Sequence, residues 1–298
     1  MDNLNKLIYI QSDWIYEKYS GWSIIYECQG VKILRKRYGL ISKLLLMTQK
    51  DFNQDISKIL TQLRLINNFT IIIWHDFSDT LEHENRLLTG KSLKLINNKQ
   101  ILVNLFTFII DISLSNEELW KNLGQKSRNM IRKAEAYKVE STIIEEPTSQ
   151  QLNIFFNLYK PIAQANNLAM PSRKFFEKMF DDKKIFLCLS NIKGEQPLLA
   201  NIIYTTKYSG FYLYGASSKN RVTGIGQHAQ WEIIKHLKSK GYAWYDLGGV
   251  PNTDKSNGIY KFKKSMGGEF VNLGREYIYI PKLIITPYRI FKNIKQFL

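Results

Sequence analysis

Residues 184–215 hold three short apolar runs in succession: KIFLCLS at 184–190, LLANIIYT at 198–205 and GFYLYG at 210–215. Turn signals divide them, Lys193-Gly194 after the first and residues 207–209 after the second. Runs of this length, rich in β-branched and aromatic residues and bounded by turn residues, read as consecutive strands. A helical pattern at 227–240 and another strand at 244–247 follow. A loop and a final strand reading over 269–279 complete the series. Two helices precede it, at 149–166 and 173–180. The order helix, helix, three strands, helix, strand, loop, strand implies a mixed sheet covered by helices.

Upstream of that block the pattern is weaker but similar. Residues 31–37 and 41–47 flank Tyr38, Gly39 and Leu40, which reads as a hairpin. Residues 55–65 have helical spacing, and the β-branched runs at 70–75 and 100–112 read as strands. Ser115 and Glu118 have the spacing of a capping box and open a helix expected to run to about residue 136. With 298 residues, two α/β units fit best, at 1–112 and 113–280. The tail at 281–298 carries Pro287 ahead of Ile290, Phe291, Ile294, Phe297 and Leu298. It reads as an amphipathic helix that packs back on the first unit.

No run approaches the roughly 18 apolar residues of a membrane span. The N-terminus has no long apolar run of a secretory signal. The two cysteines, Cys28 and Cys188, make neither a disulfide framework nor a zinc spacing. A cytoplasmic protein is expected, acting as a monomer, with the tail helix as the candidate for contact with the inner face of the membrane. The formal charge of +16 fits a nucleic acid, an anionic membrane surface or a phosphorylated small molecule as partner, or simply a solvated basic surface.

Several motifs carry candidate chemistry. Arg221-Val-Thr-Gly224-Ile-Gly226 lies between a strand and a helix. It matches the R-x-x-G-x-G pattern of acetyltransferase-type folds, in which backbone N–H groups at a helix N-terminus hold a pyrophosphate. Residues 121–133 hold five cations, of which Arg128 and Arg132 are four apart and share a helix face. Residues 245–268, YDLGGVPNTDKSNGIYKFKKSMGG, hold five glycines, four lysines and three aromatics. That composition is poor for packing and suits close backbone approach. The segment from Tyr260 to Lys264 is expected to be extended, with one lysine facing a cleft while Phe262 packs. A lysine so placed can stabilise negative charge developing on an acyl oxygen. Asp246 either orients an amine or caps the loop. Lys18, after the aromatic-rich opening turn, is a candidate for contact with an anionic acceptor. The four histidines show no metal spacing, and no nucleophile elbow or phosphate-binding loop of the ATPase type occurs. No metal and no cofactor are expected.

These stretches together resemble the FemABX family. The likeness rests on LWKNLGQKSRNMIRKAEAYKVE at 119–140, FYLYGASS at 211–218 and Gln230-Trp231-Glu232. It also rests on YDLGG and GIYKFKKSMGG within 245–268, and on IQSDW at 10–14. It covers most of the chain and is densest over 113–275. The resemblance implies two tandem acetyltransferase-like (GNAT-like) domains, the first on the acceptor side and the second catalytic, with mixed, mostly antiparallel sheets. It implies transfer of an amino acid from aminoacyl-tRNA to an amine of a peptidoglycan precursor. Phe262 and Lys263 match the family's Phe-Lys pair, in which the lysine assists acyl transfer. Tyr260, Asp246, Arg173 and Lys18 fall to the acceptor side. Arg221, Gly224, Gly226, Arg128 and Arg132 fall to the donor side. The chain departs from the family around residues 170–176, where Arg173 and Phe175 stand without a clean match. It departs again at 223–227, where R-x-x-G-x-G replaces a tyrosine. The acceptor is therefore open, and an acyl-CoA donor acting on a surface-polysaccharide or other phosphate-linked glycan precursor remains the alternative.

Overall fold

A computed structural model describes residues 21–28, 30–48, 56–77, 87–88, 91–92, 94–95, 105–250, 254–281 and 283–284. The chain divides into two compact units, one of residues 1–105 with 272–298 and one of residues 106–271. Both division points differ from those expected. Phe106–Asp111 closes no strand of the first unit, because it pairs with strand 244–249 of the second. Residues 269–279, expected as one strand, break at Leu273-Gly274. Gly274 has φ +89°, and a Cβ there would lie 1.9 Å from the Asp76 carbonyl oxygen. The two halves then join different sheets.

In the first unit, β1 (Ser23–Cys28), β2 (Val31–Tyr38) and β3 (Ile41–Thr48) form an antiparallel meander. Tyr38 faces Ile41 across the expected hairpin, with Gly39 at φ +58° in the turn. α1 (Ile56–Gln62) then crosses over, so that β4 (Thr70–Asp76) lies parallel to β3. Three two-residue strands follow, β5 (Leu87–Leu88), β6 (Lys91–Ser92) and β7 (Lys94–Leu95). The core joins Ile33, Leu44, Leu46, Ile59, Leu60, Ile72 and Trp74.

The second unit opens with β8 (Phe106–Asp111), then α2 (Asn116–Asn122) and α3 (Gln125–Ala136). The capping box forms as expected: Ser115 caps the Glu118 N–H and the Glu118 carboxylate returns to the Ser115 N–H. The single helix expected over 115–136 is nevertheless two. Gly124 donates its N–H to the Ser265 carbonyl at 2.9 Å, and this tertiary bond interrupts the helical ladder. The remaining elements are β9 (Val139–Ile144), α4 (Ser149–Ala165), α5 (Arg173–Asp181), β10 (Ile185–Ile192), β11 (Leu199–Thr205) and β12 (Ser209–Ser217). After them come α6 (Ile225–Ser239), β13 (Trp244–Gly249), α7 (Gly258–Ser265) and β14 (Glu269–Asn272). The final strand, β15 (Arg275–Tyr279), pairs with β4 in the first unit's sheet.

The second sheet runs β14-β8-β13-β12-β11-β10-β9. Strand β9 was not anticipated; it adds to the edge of β10 by antiparallel pairing. The three consecutive strands at β10, β11 and β12 are antiparallel, whereas β12 and β13, joined through α6, are parallel. α3 and α6 bury Ile131, Ala134, Ala229, Ile233 and Leu237 with Phe186, Cys188 and Ile203 of the sheet. Phe155 and Tyr159 of α4 and Phe176 of α5 make a separate aromatic group with Tyr214. Among the described residues no helix is long and apolar enough to cross a membrane. The expected tail helix and its packing fall almost wholly outside the described residues.

Candidate functional site

Strands β12 and β13 pair only from Ser209 opposite Trp244 to Phe211 opposite Asp246. Beyond that point β12 continues against β11 as far as Ser217. β13 turns through a register irregularity and meets β8 again at Gly249 opposite Thr107. The two central strands therefore part beyond Phe211 and Asp246, where side chains rather than strand partners meet the Gly248 N–H and the Gly248 and Gly249 carbonyls.

Three residues hold this irregularity. Gly248 has φ +77°, and a Cβ there would sit 2.7 Å from the Tyr212 carbonyl oxygen, so only glycine fits without displacing backbone. The buried Asp246 carboxylate accepts from the Gly248 N–H at 2.7 Å and from the Thr107 hydroxyl. The Thr107 hydroxyl also lies 2.8 Å from the Gly248 carbonyl. Of the two roles open to Asp246, the geometry realises the cap.

The segment from Tyr260 to Lys264 is helical, which corrects the extended reading. Asn257 accepts from the Ile259 and Tyr260 N–H groups at 2.8 and 3.3 Å. It is a strong N-cap, and its presence among turn residues was the signal for a helix. In α7 the inward residues are Tyr260 and Lys263, three apart. Lys263 is 8% exposed. Its Nζ donates to the Gly249 carbonyl at 2.7 Å and stands 5.9 Å from the centre of the Tyr212 ring. Burial lowers its pKa to about 8, against a smaller opposing pull from Asp246. A cation is thus held at the point where β12 and β13 separate.

The other expected residues have varied placements. Phe262 packs on the α3–α6 core, and a Cβ on Gly226 would touch its ring at 3.7 Å. Tyr260 is a core residue between Phe108 and Phe270, which leaves its face little to offer an acceptor. Gly224 caps α6 with φ +88°, and a Cβ would lie 2.0 Å from the Met130 carbonyl oxygen. Its glycine is demanded by the contact of α6 with α3, whatever binds nearby. Arg221 is exposed and donates to the Ser217 hydroxyl at 3.1 Å. Arg128 and Arg132 do share a face, but both turn to α2. Arg128 donates to the Lys121 carbonyl at 2.9 Å and to that of Leu123, and caps that helix's C-terminus. Arg132 lies over the Trp120 ring at 5.5 Å. Arg128 thus holds the C-terminus of α2 against the start of α3. Arg173 joins Glu177 at 3.2 Å and Asn153, and ties α5 to α4. Lys18 lies outside the described residues. Among the described residues no cluster of histidine, cysteine and carboxylates is suited to a metal.

Sequence reading missed Tyr212 and Asn201. Tyr212 donates its hydroxyl to Asn201 Oδ1 at 3.1 Å, and burial holds that phenol far above its usual pKa. Asn201 is the polar residue inside an otherwise apolar buried run, which was the available signal.

A protein-family model described as the FemAB family matches residues 76–198 and 191–292. No curated protein matches the chain. Among solved structures, one titled as the crystal structure of FemX is 17% identical, with 97% of this chain and 93% of that chain covered at a TM-score of 0.65. The structure of L-PGS from Bacillus licheniformis is 11% identical, with 92% and 89% covered at 0.58. A tandem GNAT protein from the clavulanic acid biosynthesis pathway is 5% identical, with 93% and 87% covered at 0.51. At these identities the likeness is one of fold, and it bears out the mixed α/β architecture of tandem GNAT type.

Proposed function

The chain belongs to the FemAB family, and on that premise we propose that it is an acyltransferase moving an aminoacyl group from aminoacyl-tRNA to an amine of a peptidoglycan precursor. The observation that carries this reading is the Lys263 ammonium, buried at the parting of β12 and β13 with one N–H on the Gly249 carbonyl. The acceptor amine attacks the ester carbonyl carbon. The new C–N bond forms, the C–O bond to the ribose breaks, and the proton lost by the amine goes to the departing ribose oxygen. Negative charge gathers on the carbonyl oxygen during attack. Two N–H groups of Lys263 are free of the Gly249 bond and serve that charge, in surroundings where water does not screen it. Phe262 supports the helix turn that carries the lysine. The rest of the acceleration comes from holding ester and amine together, worth up to roughly 7–11 kcal/mol in favourable cases.

The test offers purified protein radiolabelled aminoacyl-tRNA pools or labelled acetyl-CoA, each with an extract of cell-wall and glycan precursors. Label passing from tRNA into a muropeptide precursor is the expected result. Label passing only from the thioester would overturn it in favour of the acyl-CoA reading. One observation favours that second reading: α6 begins without a side-chain cap, beside Arg221, and a helix of 15 residues favours an anion at that end. Thermal stabilisation by CoA that disappears in Arg221→Ala and Gly226→Glu would establish it. Gly224 is unsuitable for that experiment, because its substitution strains the α3 contact whatever the ligand.

A further inference from the structure

We infer that Asn201 and Tyr212 form a strut that positions the Lys263 ammonium, and that the amide is kept inside the sheet for this duty at a cost in stability. The inference rests on the proposed role of Lys263. All seven residues of β11, LANIIYT, are buried, and Asn201 is 1% exposed. Its Oδ1 accepts from Tyr212, while its Nδ2 finds no hydrogen-bond partner among the described residues. Turning the amide around would move the deficit to the oxygen without removing it. A buried amide atom left unpaired is destabilising, and an apolar residue would serve the core better. Something other than packing accounts for an asparagine here.

The space around the pair is arranged for Tyr212. Gly215 lies opposite Asn201 in the β11–β12 register. A Cβ on Gly215 would fall 1.8 Å from the Tyr212 hydroxyl oxygen, so the phenol occupies the volume that a side chain at 215 would fill. Asn201 anchors the hydroxyl end of the ring, and the ring's face lies 5.9 Å from Lys263 Nζ. Lysine has a flexible four-carbon stem, and a single bond to Gly249 leaves its head free to swing about that bond. A ring fixed beneath it removes this freedom and excludes water from one side. The titratable groups around the assembly are Asp246, which faces Lys263, and Cys188 and Tyr245, which face Tyr212. Burial pushes the Cys188 thiol up to about 12 and raises the Tyr245 phenol. Both are neutral at physiological pH, so Asp246 is the one charge among them.

The experiment uses the full chain and two readouts, the NMR titration of the Lys263 ε-carbon and steady-state transfer kinetics. Asn201→Leu alone strands the Tyr212 hydroxyl and lowers Tm. Asn201→Leu with Tyr212→Phe removes both partners and recovers Tm. In that double variant the ring is present but untethered. We expect the Lys263 midpoint to rise from about 8 toward the ordinary lysine value as water reaches Nζ. We also expect kcat to fall about 10- to 100-fold with KM unchanged. Gly215→Ala should act likewise in the native background and have no further effect in a Tyr212→Leu background. A midpoint that stays in place in the double variant overturns the strut, whatever kcat does. A midpoint that moves while kcat holds upholds the strut and removes Lys263 from the chemistry.

Discussion

Burying the Lys263 ammonium to 8% exposure lowers its pKa to about 8 from an ordinary value of 10.5, and the direction of that shift makes two measurements. For stability, the unfolded chain holds the proton up to higher pH than the folded one. The cost of burying charge is therefore fully present below pH 8 and is relieved as pH rises from about 8 toward 10.5, by about 3 kcal/mol at most. Lys263→Met should raise Tm at pH 7 and flatten its dependence on pH above 8, as calorimetry across that window would read. For activity, the charged form is the one that stabilises the oxyanion. The rate should fall as pH rises through about 8, and Lys263→Ala should lose about 10²–10³ in kcat together with that basic limb. A Lys263→Ala enzyme with native kcat would remove the lysine from the mechanism. Stability gained in Lys263→Met and activity lost in Lys263→Ala, at one position, are the mark of a residue placed for function rather than for packing.

At the scale of elements, the site depends on α7 being a helix. Asn257→Ala removes the cap on two N–H groups and should cost about 1 kcal/mol. It should also lower kcat more than KM, because fraying of the first turns moves Lys263 from Gly249. Denaturant titration and kinetics on the same preparation would show both. This element also shows where sequence reading stops. The run YKFK alternates aromatic and basic residues, a period of two that favours an extended reading, yet Tyr260 and Lys263 also stand three apart as on one helix face, so a pattern this short does not choose between strand and helix. Asn257 and the tertiary slot for Tyr260 against Phe108 and Phe270 make the choice. The Ser115 capping box, by contrast, is local and forms as written. So does the Tyr38–Ile41 hairpin, where Gly39 supplies the positive φ. The break at Gly124 was hidden because its cause, the Ser265 carbonyl, lies 141 residues further along the chain.

For the whole molecule, the second unit is one continuous segment that begins with β8, whereas the first is completed by β15 from beyond it. A fragment starting at residue 113 lacks β8, which lies between β13 and β14. It should lose the cooperative unfolding transition that a fragment of 106–271 retains, by circular dichroism against urea. The charge of +16 belongs to this scale too. With an RNA donor, KM should rise steeply between roughly 50 and 200 mM salt while kcat holds, because phosphate contacts release counterions. A donor KM indifferent to salt would set the surface charge aside as solvated. The amino-acid sequence by itself determined β2, β3, β4 and β10 to β13, the Ser115 capping box and the Tyr38–Ile41 hairpin, since each depends on residues within a turn or two of one another. Only the tertiary structure decided that β12 and β13 part beside Gly248. It alone decided that Lys263 turns into that opening, and that Tyr212 and Asn201 stand beneath it. Those facts depend on register and burial between segments far apart in the chain, and no local spacing records them.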